Sequence, residues 1–132
     1  MSENQMVEMA AKVRLRAYAP YSGFKVGAAV LTRAGAIFTG CNVENASFGV
    51  TICAERAAVV AAIAAGQPEL IAIAIVTDAP EPAMPCGACR QVLAEFNPLI
   101  KIIASTTQDE RQEFVLTDLL PRANQGLPSK NV

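Results

Sequence analysis

The sequence predicts an α/β fold, a mixed sheet with helices on both faces. Three observations predict it. The hydrophobic periodicities run helix, two strands, helix, strand, helix, two strands along the chain. Leu70 to Thr77 is one continuous apolar, β-branched run, as expected of a strand covered on both faces. No internal repeat or domain linker interrupts the 132 residues, a length that suits a single domain, residues 1–132, with its own core.

Each element has a local cause. Glu3 to Tyr18 reads as a helix, with Met6, Met9, Ala10, Val13 and Ala17 at three-to-four residue steps, ended by Ala19-Pro20-Tyr21-Ser22-Gly23. Val26 to Thr32 and Ile37 to Thr39 flank the turn Arg33-Ala34-Gly35 and read as a hairpin. Gly40 to Val50 is a loop rich in Asn, Ser, Glu and Gly, where polar groups can face a ligand. Thr51 is a candidate N-cap for a helix running to Ala65, stopped by Gly66 and Pro68, which places Cys53 in its first turn. Pro85 can begin a further helix from Cys86 to Phe96, ended by Asn97-Pro98. Lys101 to Ser105 and Glu113 to Leu116 are two more strands around a polar turn at Thr107 to Gln112. Asp118-Leu119-Leu120 suits a last short turn, and the tail from Pro121 shows no periodicity, so it is either mobile or docked on a neighbour.

Bulk properties restrict the function. Hydrophobic residues make up 52% of the chain, yet no apolar run reaches the roughly 18 residues a membrane span needs. The segment Ala57 to Ala65 is apolar on every helical face, which suits a helix covered all round by its own core or by another subunit. The charged N-terminus lacks a signal core, so a cytoplasmic location without membrane attachment is expected. Net charge is −1, and neither a Lys/Arg run nor any Trp is present, which argues against a polymeric nucleic-acid partner.

Four cysteines in such a chain suit metal ligation or burial better than disulfides. Cys86 and Cys89 lie three apart and share a helical face. A helix N-terminus lowers thiol pKa and favours the metal-binding thiolate. Cys-x-x-Cys alone is equally a redox or structural-zinc spacing. Cys53-Ala54-Glu55 upstream, followed by Pro85-Cys86-x-x-Cys89, resembles the zinc deaminase signature in its three-cysteine form, and the absence of His excludes a His-containing version. A closed structural site would need a fourth ligand, which only Cys41 could supply; its apolar neighbours favour a buried thiol instead. Three protein ligands then leave a position for water.

Three thiolates outweigh the two charges of zinc, leaving the cluster formally at −1. Arg56 is placed in sequence to hydrogen-bond a ligand sulfur and tune that charge, or else is a surface arginine. Glu55 is about 200° around a helix from Cys53, so it is not a second ligand from the same turn and is free for proton transfer.

The chain as a whole resembles the small homotetrameric cytidine deaminases. The matching stretches are Ala17-Tyr-Ala-Pro-Tyr-Ser-Gly-Phe-Lys-Val-Gly-Ala-Ala29, Gly40-Cys-Asn-Val-Glu-Asn-Ala-Ser47, Cys53-Ala-Glu-Arg56, Pro85-Cys-Gly-Ala-Cys-Arg-Gln-Val92 and Leu119-Leu-Pro121. The resemblance implies a three-layer α/β/α sandwich with a five-stranded mixed sheet, one Zn2+ per subunit, active sites near subunit interfaces, and deamination of cytidine and 2′-deoxycytidine in pyrimidine salvage. It implies that Glu55 is catalytic, that Cys53, Cys86 and Cys89 hold the metal, that Phe24 packs on the pyrimidine, and that Asn42 and Glu44 bind the ribose hydroxyls. The backbone of Ala54 would read the base. Read from the residues alone, Phe24 suits ordinary core, and Asn42 and Glu44 suit loop polars. Two departures stand out: Asn124 where family members often have a phenylalanine, and Phe48 where many have tyrosine.

Rival readings are a deaminase of the same fold acting on a cytosine-containing antibiotic such as blasticidin S, a polynucleotide-editing deaminase, an inert zinc-stabilised binding module, and a redox protein using Cys86 and Cys89. Phe24 and the Asn42 to Ser47 loop favour a free nucleoside, and the acidic composition disfavours a polynucleotide.

Overall fold

The computed structural model describes residues 3–123. Asn124 and the rest of the tail lie outside the described residues. Five strands, β1 (Val26–Thr32), β2 (Ile37–Cys41), β3 (Leu70–Thr77), β4 (Lys101–Thr106) and β5 (Arg111–Val115), form one sheet in the order β2-β1-β3-β4-β5. β1 pairs antiparallel with both β2 and β3, β3 pairs parallel with β4, and β4 pairs antiparallel with β5. The sheet is therefore mixed, as expected. The one parallel pair, β3 with β4, is joined by a connection that carries the helix Gly87–Phe96, as a parallel crossover requires.

Strand alternation divides the core in two. On one face Ala29, Ala72, Ala74, Val76 and Ile103 meet Met6, Val7 and Ala10 of α1 (Glu3–Arg14). On the other, Ala28, Val30, Ile73, Ile75 and Ile102 pack with Ala54, Ala58, Val59 and Ala62 of α2 (Ala54–Ala64) and Leu93 and Ala94 of α3 (Gly87–Phe96). Burying each large aliphatic side chain contributes about 1.5–3 kcal/mol. The result is the α/β/α layering of the expected sandwich.

Several boundaries differ from the sequence expectation. α1 ends at Arg14 rather than Tyr18, and Val7 rather than Met9 enters the core. The backbone of Tyr18 is taken by the 42–44 segment: its N–H donates to Asn42 O at 3.0 Å and its carbonyl accepts from Glu44 N at 2.8 Å. α2 begins at Ala54 with Cys53 as its N-cap, so Thr51 does not cap it and Cys53 precedes the first turn. α3 likewise starts at Gly87 behind an N-cap Cys86, with Pro85 still outside the helix. β2 runs on to Cys41, and β5 starts at Arg111 because Arg111 and Gln112 pair with Ser105 and Ala104. The last short turn is the helix α4, Leu116–Leu119.

α2 is not covered all round within the chain. Val60 and Ile63 are 60% and 37% exposed on its outer side. No helix among the described residues is long and apolar enough to cross a membrane.

Candidate metal centre and active site

Cys53, Cys86 and Cys89 come together where α2 and α3 begin. Their three sulfur atoms lie within 4.8 Å of one another, and Cys53 Sγ is 4.0 Å from Cys86 Sγ. Both N-cap cysteines have extended backbones. Cys86 Sγ accepts the Cys89 N–H at 3.5 Å, as a capping oxygen would. The cysteines grade from exposed Cys86 through half-buried Cys53 to buried Cys89, so the cluster runs from the surface inward.

The donor set fits zinc. A Zn–S length of about 2.3 Å in a tetrahedron separates sulfurs by about 3.8 Å, close to the observed Cys53–Cys86 spacing. Cys41 is not in the cluster; it ends β2 opposite Gly27 and is half-buried rather than buried. Three thiols without a fourth protein donor among the described residues is the pattern of an open metal site.

Electrostatics favour a charged sulfur at Cys53. The Cys89 thiol donates to it, and the Arg56 guanidinium beside it adds to the effect, together holding Cys53 down to about 5. Cys89, which keeps its proton in that pair and is also desolvated, is pushed up. Arg56 Nη2 donates to Cys53 Sγ at 3.4 Å and to Thr51 O at 3.1 Å, so Arg56 is not a loose surface arginine. Glu55, at the same helix start, is 6% exposed. Burial pushes its carboxyl above the usual range, with the Cys53 charge adding to the shift. A carboxyl poised upward in this way can hold a proton nearer neutrality, as a proton carrier must.

The loop before α2 brings the polar candidates alongside. Val43 and Ile52 exchange backbone hydrogen bonds at 2.9 Å each, closing the loop between them. Asn42 and Glu44 therefore flank one end of that closure and Cys53 follows the other. Asn42, 8% exposed, accepts Val26 N on Oδ1 and donates from Nδ2 to Phe24 O, each at 2.8 Å. Phe24 is 39% exposed and is not core. Glu44 Oε1 accepts Tyr21 N at 2.9 Å and Ser22 N at 3.1 Å, and Oε2 accepts the Ser22 hydroxyl. A pocket of about 380 Å³ is lined by Tyr21, Ser22, Glu44, Phe48 and Thr51. Tyr21 and Phe48 meet edge to face there, with ring centroids 6.3 Å apart. Ala54, the first residue of α2, is fully buried.

Sequence reasoning missed Tyr21, Ser22 and Thr51 as lining residues. Only the run of polar and aromatic residues after Pro20 could have drawn attention to the first two.

Residues 1–106 match the family described as the cytidine and deoxycytidylate deaminase zinc-binding region. A cytidine deaminase of Halalkalibacterium halodurans is 44% identical over 124 residues, covering 93% of this chain and 94% of that protein. One from Mycobacterium tuberculosis is 48% identical over 107 residues, covering 81% of this chain and 77% of its own length. Among solved structures, a cytidine deaminase from Burkholderia pseudomallei superposes with a TM-score of 0.88 at 47% identity, covering 92% of this chain and 98% of the other.

Proposed function

The chain belongs to the cytidine and deoxycytidylate deaminase family, and from that premise we propose that it hydrolyses cytidine and 2′-deoxycytidine to uridine and 2′-deoxyuridine, releasing ammonia. The observation that carries the reading is the convergence of Cys53, Cys86 and Cys89 beside the buried carboxyl of Glu55. The same metal would serve a structural module, but such a module has no use for a desolvated carboxyl at its edge.

Cys53, Cys86 and Cys89 would hold one zinc per chain. Zinc held there supplies a Lewis acid that makes water acidic near neutrality. Glu55 carries one proton from the attacking water to the ring nitrogen and a second from the resulting C4 hydroxyl to the departing amino group, so that the C4 carbonyl forms as the C4–N bond breaks and ammonia leaves. Its upward-shifted carboxyl suits both directions of transfer. Arg56 draws charge from Cys53 and keeps the thiolate set from being over-negative.

Phe24 offers an exposed ring for the flat base, the Ala54 backbone reads the base edge, and Asn42 and Glu44 bind the sugar hydroxyls. Each of those two polar groups has capacity to spare. Asn42 keeps one N–H and one lone pair beyond its contacts to Phe24 and Val26. The substrate is then a free nucleoside in pyrimidine salvage, handled without a polymeric nucleic acid or a membrane, in the cytoplasm.

The exposed Val60 and Ile63 of α2, with Phe48, Val50 and Ile52 near the pocket, support assembly into a homotetramer that covers these side chains. The test is ammonia release from a panel of cytidine, deoxycytidine, cytidine monophosphate and blasticidin S by the zinc-loaded protein. Turnover of the two nucleosides and neither of the others is the expected result; no turnover of either nucleoside overturns the proposal.

A further inference from the structure

Glu44 is held before any nucleoside arrives, and Ser22 does most of the holding. Both the amide and the hydroxyl of Ser22 donate to the Glu44 carboxylate, one to each oxygen, and Tyr21 N adds a third donor. A carboxylate offers about four lone-pair sites, so these donors leave roughly one. The same Ser22 hydroxyl oxygen accepts the Phe24 N–H at 3.0 Å. Between them Gly23 adopts φ +70°, a left-handed conformation that lets the chain reverse within one residue. Ser22 Oγ is thus a two-way link between the carboxylate proposed for the sugar and the backbone of the aromatic residue proposed for the base.

The link has two consequences. The hydroxyl fixes which carboxylate oxygen is committed to the loop and which retains a free lone pair. It also ties the Phe24 backbone from one side while Asn42 Nδ2 ties its carbonyl from the other. Ser22 is the largest influence holding the Glu44 carboxyl below the usual range, in keeping with a donor committed to the ionised form.

We infer that Ser22 is a positioning residue for nucleoside recognition, its hydroxyl orienting Glu44 so that one acceptor site is left for a sugar hydroxyl. The inference rests on the proposed sugar-binding role of Glu44. Loss of the hydroxyl frees Glu44 to rotate, while Phe24 stays tied through its carbonyl to Asn42 Nδ2, and the metal cluster and Glu55, held by other elements, keep their places.

Steady-state kinetics of the zinc-loaded enzyme on cytidine and on 2′,3′-dideoxycytidine, which lacks both ring hydroxyls, test it. Ser22→Ala is expected to raise KM for cytidine about tenfold with kcat within about threefold, the scale of one hydrogen bond to a charged group. Its KM for the dideoxy analogue changes by less than about twofold, because no sugar hydroxyl is there to be recognised. Ser22→Thr, which keeps the hydroxyl, restores the cytidine KM. The double variant Ser22→Ala/Glu44→Gln is no weaker than Glu44→Gln alone, because both changes remove one interaction. Equal losses on the two substrates, failure of threonine to rescue, or additive losses in the double variant would each overturn the role of Ser22. The two readings separate cleanly: an unchanged cytidine KM in Glu44→Gln removes the sugar-binding reading itself, whereas a raised KM there with a normal Ser22→Ala removes only the inference about Ser22.

Discussion

The guanidinium of Arg56 donates from Nη2 to the sulfur of Cys53 at 3.4 Å. The two residues stand one turn apart at the start of α2, and a second bond from the same nitrogen to Thr51 O fixes the arginine in place. Three thiolates exceed the charge of a zinc ion by one, and a cation bonded to a ligand sulfur offsets that excess. Arg56→Gln is expected to lower kcat/KM by about 10–100-fold, the usual scale for a partner of a metal ligand. Kinetics with zinc content measured in parallel check this. Undiminished activity would leave Arg56 only the task of holding the Thr51 carbonyl.

Cys53, Cys86 and Cys89 cluster, and Cys41 lies apart from them on β2. Cys89→Ser, in the buried position of the cluster, is expected to lose stoichiometric zinc, whereas Cys41→Ser retains about one ion per chain. Treatment with a strong chelator abolishes activity and lowers the melting temperature, and added zinc restores both. Elemental analysis and thermal melts read these outcomes. Zinc loss in Cys41→Ser would mean that the site is closed by a fourth thiol.

Two glycines let a helix approach the sheet, one on each face. A Cβ at Gly40 would run into Ala58 N and lie 2.7 Å from Ala54 O, so the first turn of α2 would have to move. A Cβ at Gly27 would run into Ala10 O and lie 2.8 Å from Arg14 N, displacing α1 on the far side. Each alanine substitution is expected to cost about 2 kcal/mol or more of stability, as overpacking does. Only Gly40→Ala also reduces zinc affinity and activity per folded molecule, because only α2 carries Cys53 and Glu55. Denaturant melts and zinc titrations distinguish the two.

The Glu44 carboxylate lies below its ordinary range, chiefly through the Ser22 hydroxyl and then the Ser22 and Tyr21 amides. A depressed folded-state pKa means a contribution present above the unfolded value of about 4.3, and lost as pH falls through the lower folded value. The amide protons of Tyr21 and Ser22 are therefore expected to titrate together in NMR spectra with a midpoint below that value. Glu44→Gln abolishes this shared titration. A midpoint at or above the ordinary carboxylate value would contradict the hydrogen bonding described.

Much of this was legible in the sequence. β1 and β3 have the expected limits because short apolar runs bounded by polar and turn residues admit few alternatives. The meeting of Cys53 with Cys86 and Cys89 was legible in the three-residue spacing of the last two and in the upstream Cys53-Ala54-Glu55 that the deaminase signature sets beside it. What escaped depends on partners distant in sequence. Nothing local says that Tyr18 leaves helix α1 to bond with Asn42 and Glu44, or that polar Arg111 and Gln112 pair with β4. Thr51 is the better capping residue by propensity, yet α2 starts at Ala54 behind Cys53, and the Thr51 hydroxyl instead accepts Asn45 N at 3.3 Å. The link through Ser22 was hidden for the same reason, since Glu44 lies 22 residues away.

The central claim is that Glu55 moves the protons while the three cysteines hold the metal. Glu55→Gln keeps the size of the side chain and removes its ability to exchange a proton. Ammonia release from cytidine should fall by at least about 100-fold, the low end of what general acid–base catalysis contributes, with one zinc per chain and an unchanged fold by circular dichroism. Turnover close to that of the unaltered protein, with zinc in place, would contradict the account.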